Sequence, residues 1–344
     1  MKIAVAVSGG VDSMVSLHLL KAAGHDIFAI HFLTGYEKSE NISHLKLLAS
    51  HLKHLKIEMI TVDISQAFQS KVVDYFISSY AKGQTPNPCV ICNAKIKFGV
   101  LRELALKQGA DCLATGHYAQ TEKQSDGNYL LKRGIDLKKD QSYFLSMLSE
   151  KQLSTAVFPL GKWLKKDVVG YASKNGLSSI VQPESQEVCF IHERYPDFLI
   201  RSGCIKRSPG SIVTVSGQII GQHNGLHEFT VGQRRGINCP GPYPYYVVRL
   251  EQSTNKLIVG KKSDLLSENC QVCDINWIKE RPDKPCLVDV RIRYKSPAVP
   301  AELYPTHTNQ ATLYFNSQQS AVTPGQIAVF YNGDVVIGAG RIGV

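Results

Sequence analysis

Nothing in the 344 residues is apolar for long enough to cross a bilayer. Acidic side chains are in deficit, 29 Asp and Glu against 39 Lys and Arg, which leaves a formal charge of +10. The first absence excludes a membrane-spanning helix. The second suits a polyanionic partner, nucleic acid ahead of a membrane surface. Nine cysteines, at 89, 92, 112, 189, 204, 239, 270, 273 and 286, form an odd set without regular spacing. That is unlike a secreted disulfide framework and points to a reducing compartment, so a cytoplasmic protein is expected. Ser8-Gly9-Gly10 cuts the opening apolar run too early for a signal-peptide core. Internal repeats and low-complexity segments are missing too. The length allows two or three domains, with a monomer as the default assembly.

What is present begins with Ile3-Ala4-Val5-Ala6-Val7, a run that reads as a strand buried on both faces. Ser8-Gly9-Gly10-Val11-Asp12-Ser13 follows. Its glycines permit a tight turn and a close approach of backbone to a ligand. From Asp12 a helical pattern runs to a C-cap at Gly24. A strand, a glycine turn and a helix N-terminus make an anion site, with hydroxyls from Ser8 and Ser13. The spacing is not that of a Walker A loop, nor of a dinucleotide fingerprint.

Strands at 3–7, 27–32, 57–62 and 112–115 alternate with helices near 12–23, 41–54, 65–80 and 95–108. Such alternation predicts βαβ units and a doubly wound parallel sheet, with ligands at the strands' C-terminal ends. Helix 41–54 sets His44, His51 and His54 near one face, read here as a solvated stripe rather than a metal site. Helical signals last to about 176. Beyond Cys189 short hairpins take over, at 212–221 and 245–259, then an alternating strand at 287–294 and a type I′ signal at Asn332-Gly333. The division expected is 1–199, an α/β nucleotide-binding domain; 200–262, a small β-rich domain; and 263–344, a β-barrel module.

Thr85-Pro86-Asn87-Pro88-Cys89-Val90-Ile91-Cys92-Asn93 is the second informative stretch. Cysteines at a helix N-terminus, with Lys95 and Lys97 beyond them, are expected to have lowered pKa values and partial thiolate character. The Cys-x-x-Cys pair is open to a redox, zinc or iron–sulfur reading. Cys270 and Cys273, in the β-rich part, lack that setting, and a zinc site shared with Cys89 and Cys92 is a remote alternative.

The loop at 8–13 resembles the SGGxDS pyrophosphate loop of the ATP pyrophosphatases. Further blocks extend the likeness: Ala114-Thr115-Gly116-His117-Tyr118, Lys139-Asp140-Gln141-Ser142-Tyr143, Ser185-Gln186-Glu187-Val188-Cys189-Phe190, Phe229-Thr230-Val231-Gly232-Gln233-Arg234 and Val290-Arg291-Ile292-Arg293-Tyr294. With the Thr85 to Asn93 stretch they follow, in order and over nearly the whole chain, the pattern of the tRNA-uridine 2-sulfurtransferases of the MnmA type. Those enzymes convert the wobble uridine of certain tRNAs to 2-thiouridine.

The resemblance implies ATP with Mg²⁺, tRNA as substrate, and a persulfide carrier protein or sulfide as donor. It assigns ATP to Ala6, Val7, Ser8, Gly9, Gly10, Val11, Asp12, Ser13, Phe32 and Gly116. It places the target base against Asn87, Pro88 and Cys89, and tRNA against His117, Lys139, Asp140, Gln141, Arg293, Tyr294 and Gln326. Cys189 would carry the persulfide and Cys92 would attack it, ending in a Cys92–Cys189 disulfide. Two positions depart from the pattern. Many relatives have Asp at position 89, a proposed acid/base group, and Met at position 32. The missing carboxylate opens an alternative in which Cys89, Cys92 and Cys189 hold an iron–sulfur cluster. Thiolation of another tRNA base is a further alternative, but a 4-thiouridine synthase carries an RNA-binding module ahead of the loop, and none is expected here. A non-catalytic RNA-binding protein would not need the intact loop.

Overall fold

Ile3, Ala4 and Val5 are fully buried, as an apolar run without alternation requires of a strand covered on both faces. In the computed structural model, which describes residues 1–38, 40–177 and 188–343, these residues form β1 (Lys2–Ala6). The strand pairs in parallel with β2 (Asp26–Leu33) on one side and β4 (Cys112–Ala114) on the other. Outside them lie β3 (Met59–Asp63) and β7 (Ala156–Val157), also parallel. The order β3-β2-β1-β4-β7 turns back at β1. The crevice beyond the C-terminal ends of β1 and β4 is therefore a topological switch point, where such sheets bind ligands. This is the doubly wound domain that the alternation predicts.

Helices α1 (Val11–Ala22) and α2 (Glu40–His54) pack Met14, Val15, Leu17, Leu48 and Leu52 into one core with Ile3, Val5 and Val7. Burying each large side chain contributes about 1.5–3 kcal/mol. The hairpin β5 (Ala119–Lys123) and β6 (Tyr129–Arg133) is extended by Val335 and Val336, and these belong to the same compact unit: 1–72, 89–190 and 333–337.

The helices read over 65–80 and 95–108 are not continuous α-helices. π-Helical turns interrupt both, at Gln69–Val73 and at Cys92–Leu101. The second follows a short α-helix, Pro88–Ile91, and precedes another, Arg102–Lys107. At Gly99, a Cβ would come within 3.1 Å of the Ala94 carbonyl oxygen five residues back, a tight approach that the glycine avoids. Gln152 Nε2 donates to the carbonyls of Ala94 and Phe98 at 2.7 and 2.9 Å. It thereby supports acceptors in a segment whose winding departs from the α-helix.

The second unit comprises 73–88, 191–332 and 338–344. It holds a four-stranded sheet, with β8 (Gly210–Thr214), β9 (Ile219–His223), β10 (Tyr246–Glu251) and β11 (Lys256–Gly260) in the order β10-β11-β8-β9. Both hairpins are those the turn residues announce. The parallel pairing of β11 with β8 carries no local signal. Strands β12 (Leu266–Trp277), β13 (Cys286–Arg291), β14 (Val299–His307), β15 (Gln310–Ser320), β16 (Ile327–Asn332) and β17 (Val335–Ile342) form a closed six-stranded barrel, sealed by pairing of β12 with residues 338–342 of β17.

Two strand expectations need correction. The alternating strand 287–294 stops at Arg291, because the Arg291 guanidinium donates to the carbonyls of Tyr294 and Ser296 and folds the chain back. Arg293 and Tyr294 thus sit in the bend and turn that follow the strand rather than on it. The last hairpin turns at Gly333-Asp334, with φ of 57° at Gly333 and no positive φ at Asn332. That matches a type II′ rather than a type I′ pattern.

Candidate active site

The anion loop leaves β1 as expected. Val7 N–H still pairs with Ile30 O at 3.0 Å, and Gly9 then takes φ of 80°. Ser13 Oγ donates to Gly10 O at 2.8 Å, and Ser8 N–H donates to Ser13 Oγ at 3.3 Å. Gly10, at the N-cap of α1, supplies no side chain to bond the first turn, so N–H groups there stay available to an anion. Gly116, two residues beyond β4, closes the crevice. A Cβ on it would lie 2.8 Å from both Asp12 C and Ser13 N. Phe32 lies near the C-terminal end of β2, half-buried.

Three partners of the loop are not legible in its motif. Asp12 accepts from Lys165 Nζ at 2.8 Å through both oxygens, and from Tyr118 OH at 2.7 Å. The His44 ring packs directly on Gly9: a Cβ at Gly9 would lie 2.4 Å from His44 Nε2. His51 Nε2 meets His18 Nε2 of α1 at 3.1 Å. The stripe of helix 41–54 is therefore only partly solvated, with His54 exposed and the other two engaged.

The cysteines correct one expectation. Burial pushes the Cys92 thiol up to about 12, and it raises Cys89 and Cys189 as well. Desolvation outweighs the helix-terminal and lysine effects that argued for thiolates. Cys89 and Cys189 keep solvent access while Cys92 is half-buried; for the two exposed residues the surrounding atoms, not full enclosure, supply the desolvation. The structure brings the three together. Cys92 senses the charge of both others, Cys189 senses Cys89 and Glu37, and Lys97 opposes the upward shift at all three. Phe190 anchors the segment by edge contacts to Tyr36 and Phe68 at 5.8 and 5.7 Å. Ser185, Gln186 and Glu187 lie outside the described residues. Among those described, which include all three cysteines, no group of three or more His, Cys, Asp or Glu side chains is placed to hold a metal ion.

The residues matched to tRNA contact are placed variously. His117 is buried between Phe98 and Phe158 and bonds Thr115 Oγ1 through Nδ1 at 2.7 Å; burial and the charge of Lys97 hold it well below the usual histidine range. Asp140 is buried, accepting from Gly134 N–H and Ser142 N–H at 3.2 and 3.0 Å. Gln141 Oε1 accepts from Tyr118 N–H at 3.0 Å, and Lys139 beside them is half-buried. In the second unit, Arg293 donates to Ser320 O at 3.1 Å, and Tyr294 lies 5.6 Å from the Arg291 guanidinium. Gln326 Nε2 donates to the carbonyls of Thr85 and Pro86 at 2.9 and 3.3 Å, and Thr85 N–H donates to Pro324 O at 2.9 Å. Asn87 and Pro88 continue from this clamped segment.

A glycine loop at the switch point of a parallel sheet, a cysteine trio in the same unit, and barrel modules after it are the architecture of an α/β protein of the HUP class. The tRNA methyl transferase HUP domain model matches residues 1–193, the tRNA methyl transferase PRC-barrel domain model 197–261, and the aminomethyltransferase beta-barrel domain model 267–342. The chain is 48% identical to a tRNA-specific 2-thiouridylase MnmA of Desulfosudis oleivorans, covering 99% of this chain and 94% of that one. It is 38% identical to the tRNA-specific 2-thiouridylase MnmA of Halothermothrix orenii, over 99% and 98%. It belongs to the tRNA-specific 2-thiouridylase family. Among solved structures, the U34-tRNA thiolase NcsA from Methanococcus maripaludis overlaps 55% of this chain and 60% of its own at 18% identity, with a TM-score of 0.36, too slight a likeness to bear on either fold or chemistry.

Proposed function

We propose that the protein is a tRNA-uridine 2-sulfurtransferase that uses ATP to exchange the C2 oxygen of the wobble uridine for sulfur. The observation that carries this reading is the meeting of Cys92, Cys189 and Cys89 in the same unit as the 8–13 loop, in a chain related over its whole length to 2-thiouridylases.

Oxygen at C2 is a poor leaving group, so it first attacks the α-phosphorus of ATP and expels pyrophosphate. The N–H groups and hydroxyls of Ser8 to Ser13 hold the phosphates, and Phe32 and Gly116 flank the adenosine. With no acidic cage among the described residues, and Asp12 engaged by Lys165, Mg²⁺ fits as the counter-ion of the nucleotide. Cys189 carries a persulfide. The sulfur of Cys92 attacks Cys189 Sγ, the S–S bond breaks, and hydrosulfide leaves. Hydrosulfide adds to C2, AMP departs, and the proton on sulfur is lost, giving 2-thiouridine. The Cys92–Cys189 disulfide is then reduced by an external dithiol.

Residues 1–199 carry this chemistry, 200–262 form a small β-rich central domain, and 263–344 contribute tRNA contacts, with Arg293 and Tyr294 in that module. Asn87, Pro88 and Cys89 meet the extruded base. Among the described residues no helix is long and apolar enough to cross a membrane; acting on tRNA is the ground for a cytoplasmic location in this reading.

The test is mass analysis of nucleosides from unmodified tRNA incubated with the protein, ATP, Mg²⁺ and either sulfide or a persulfide carrier. Wobble 2-thiouridine is expected. Cys189→Ser should keep sulfide-fed activity and lose carrier-fed activity. AMP formation without wobble 2-thiouridine would refute the assignment.

A further inference from the structure

Asp12 is the second residue of α1, so its carboxylate stands at the positive end of the helix, where the phosphates of ATP are to bind. Met14 N–H makes the first intrahelical bond, to Gly10 O at 3.2 Å, and the amides of Val11, Asp12 and Ser13 come before it. A carboxylate left to itself there would compete with an incoming anion for those amides and repel it.

A cation from far along the chain meets that carboxylate. Lys165 Nζ lies 2.8 Å from both oxygens of Asp12. The two side chains are only 17% and 23% exposed, so solvent and salt screen the pair less than they would at an open surface. Tyr118, fully buried, donates its hydroxyl to Asp12 Oδ1 at 2.7 Å, and Lys165 Nζ lies 5.7 Å from the centroid of the same ring. Lys165 is itself fixed in place. It opens the helix Lys165–Lys174, and its N–H donates to Asp136 Oδ2 at 2.9 Å. Val168 and Ala172 of that helix enter the core that holds Met14 and Leu17 of α1. The ammonium is therefore carried to the loop by packed helices rather than by a free surface side chain.

We propose that Lys165 is a positioning residue for ATP. It neutralises Asp12 and, with Tyr118, holds the carboxylate, which leaves the first turn of α1 to the phosphates of ATP and to the pyrophosphate it releases. This rests on the reading of the 8–13 loop as the ATP site. Lys165 acts through Asp12, so its removal should weaken ligands that bring phosphates and spare those that do not.

The experiment is calorimetric titration of the full-length protein, in buffer containing Mg²⁺, with ATP and with pyrophosphate; adenosine is measured as a competitor of ATP. Lys165→Met is expected to raise the Kd for ATP and for pyrophosphate by about tenfold or more, the effect of one uncompensated like charge beside a bound anion. The affinity for adenosine should not change, whereas a general loss of structure would lower it as well. Adding Asp12→Asn to Lys165→Met should recover most of the lost affinity for pyrophosphate. That double variant leaves neither charge unpaired, so it carries the test even if Lys165→Met alone does not fold: pyrophosphate binding is retained if Lys165 acts through Asp12 and lost if Lys165 itself grips the phosphates. An unchanged Kd for pyrophosphate in Lys165→Met, an equal loss for adenosine, or a double variant that does not bind pyrophosphate would overturn the role of Lys165 while leaving the ATP site intact. A wild type that binds neither ATP nor pyrophosphate would overturn it together with the reading of the loop.

Discussion

Cys92 shows how position overrides composition. Its neighbours in sequence, two prolines and two lysines, argue for an exposed, activated thiol; the fold instead desolvates it until its pKa reaches about 12. A thiol held neutral by burial stays unreactive in the resting enzyme and is exposed to oxidants less. The expected signature is an alkylation rate at Cys92 that keeps climbing above pH 9 rather than levelling, measured by peptide mass analysis. The linkage has a definite sign. With the folded pKa raised from 9.0 to about 12, the thiol's contribution to stability is complete below pH 9 and is lost as pH rises toward 12. A rate that levels off near pH 8 would contradict the burial account.

At the scale of elements, α1 and α2 meet through His18 and His51, stacked with ring centroids 5.4 Å apart. Burial lowers both pKa values, and each histidine feels other cationic groups: His51 and Lys21 act on His18, and His54 acts on His51. Neutral rings are favoured in the folded state, so the stability they supply is present above the unfolded value of 6.5 and lost as pH falls below it. Thermal unfolding from pH 7.5 to 5 should show a falling midpoint, and His51→Gln should flatten that fall.

The clamp on residues 84–86 is the second such device. Gly325, at φ 92°, has no room for a Cβ, which would lie 2.8 Å from Gln84 Cβ and 2.9 Å from Thr85 N. Gly325→Ala should cost about 2 kcal/mol or more, read by denaturant unfolding. Gln326→Ala should speed hydrogen exchange at the amides of Thr85 and Asn87. Unaltered exchange would mean that the amide bonds to Thr85 and Pro86 do not hold the segment.

Over the whole molecule, the charge of +10 becomes an association property. The affinity for tRNA should fall linearly in log–log form with salt, the slope counting the phosphates neutralised. Filter binding across a salt series measures it, and a flat line would deny the basic balance any part in binding.

The parallel sheet and its loop were readable because the information is local: a continuous apolar run, glycines where φ turns positive, and helix signals immediately after. The hairpins of the second unit were readable for the same reason. Residue order alone also carried the family pattern, since its blocks are short and contiguous. The π-helical winding at Cys92–Leu101, the Lys165–Asp12 pair, the grip of Gln326 on Thr85 and the parallel pairing of β11 with β8 were not readable. Each depends on groups far apart in sequence, whose meeting is decided by packing. The cysteine pKa values belong with them. A thiol's charge state is set by the atoms that surround it, and only the folded chain supplies those.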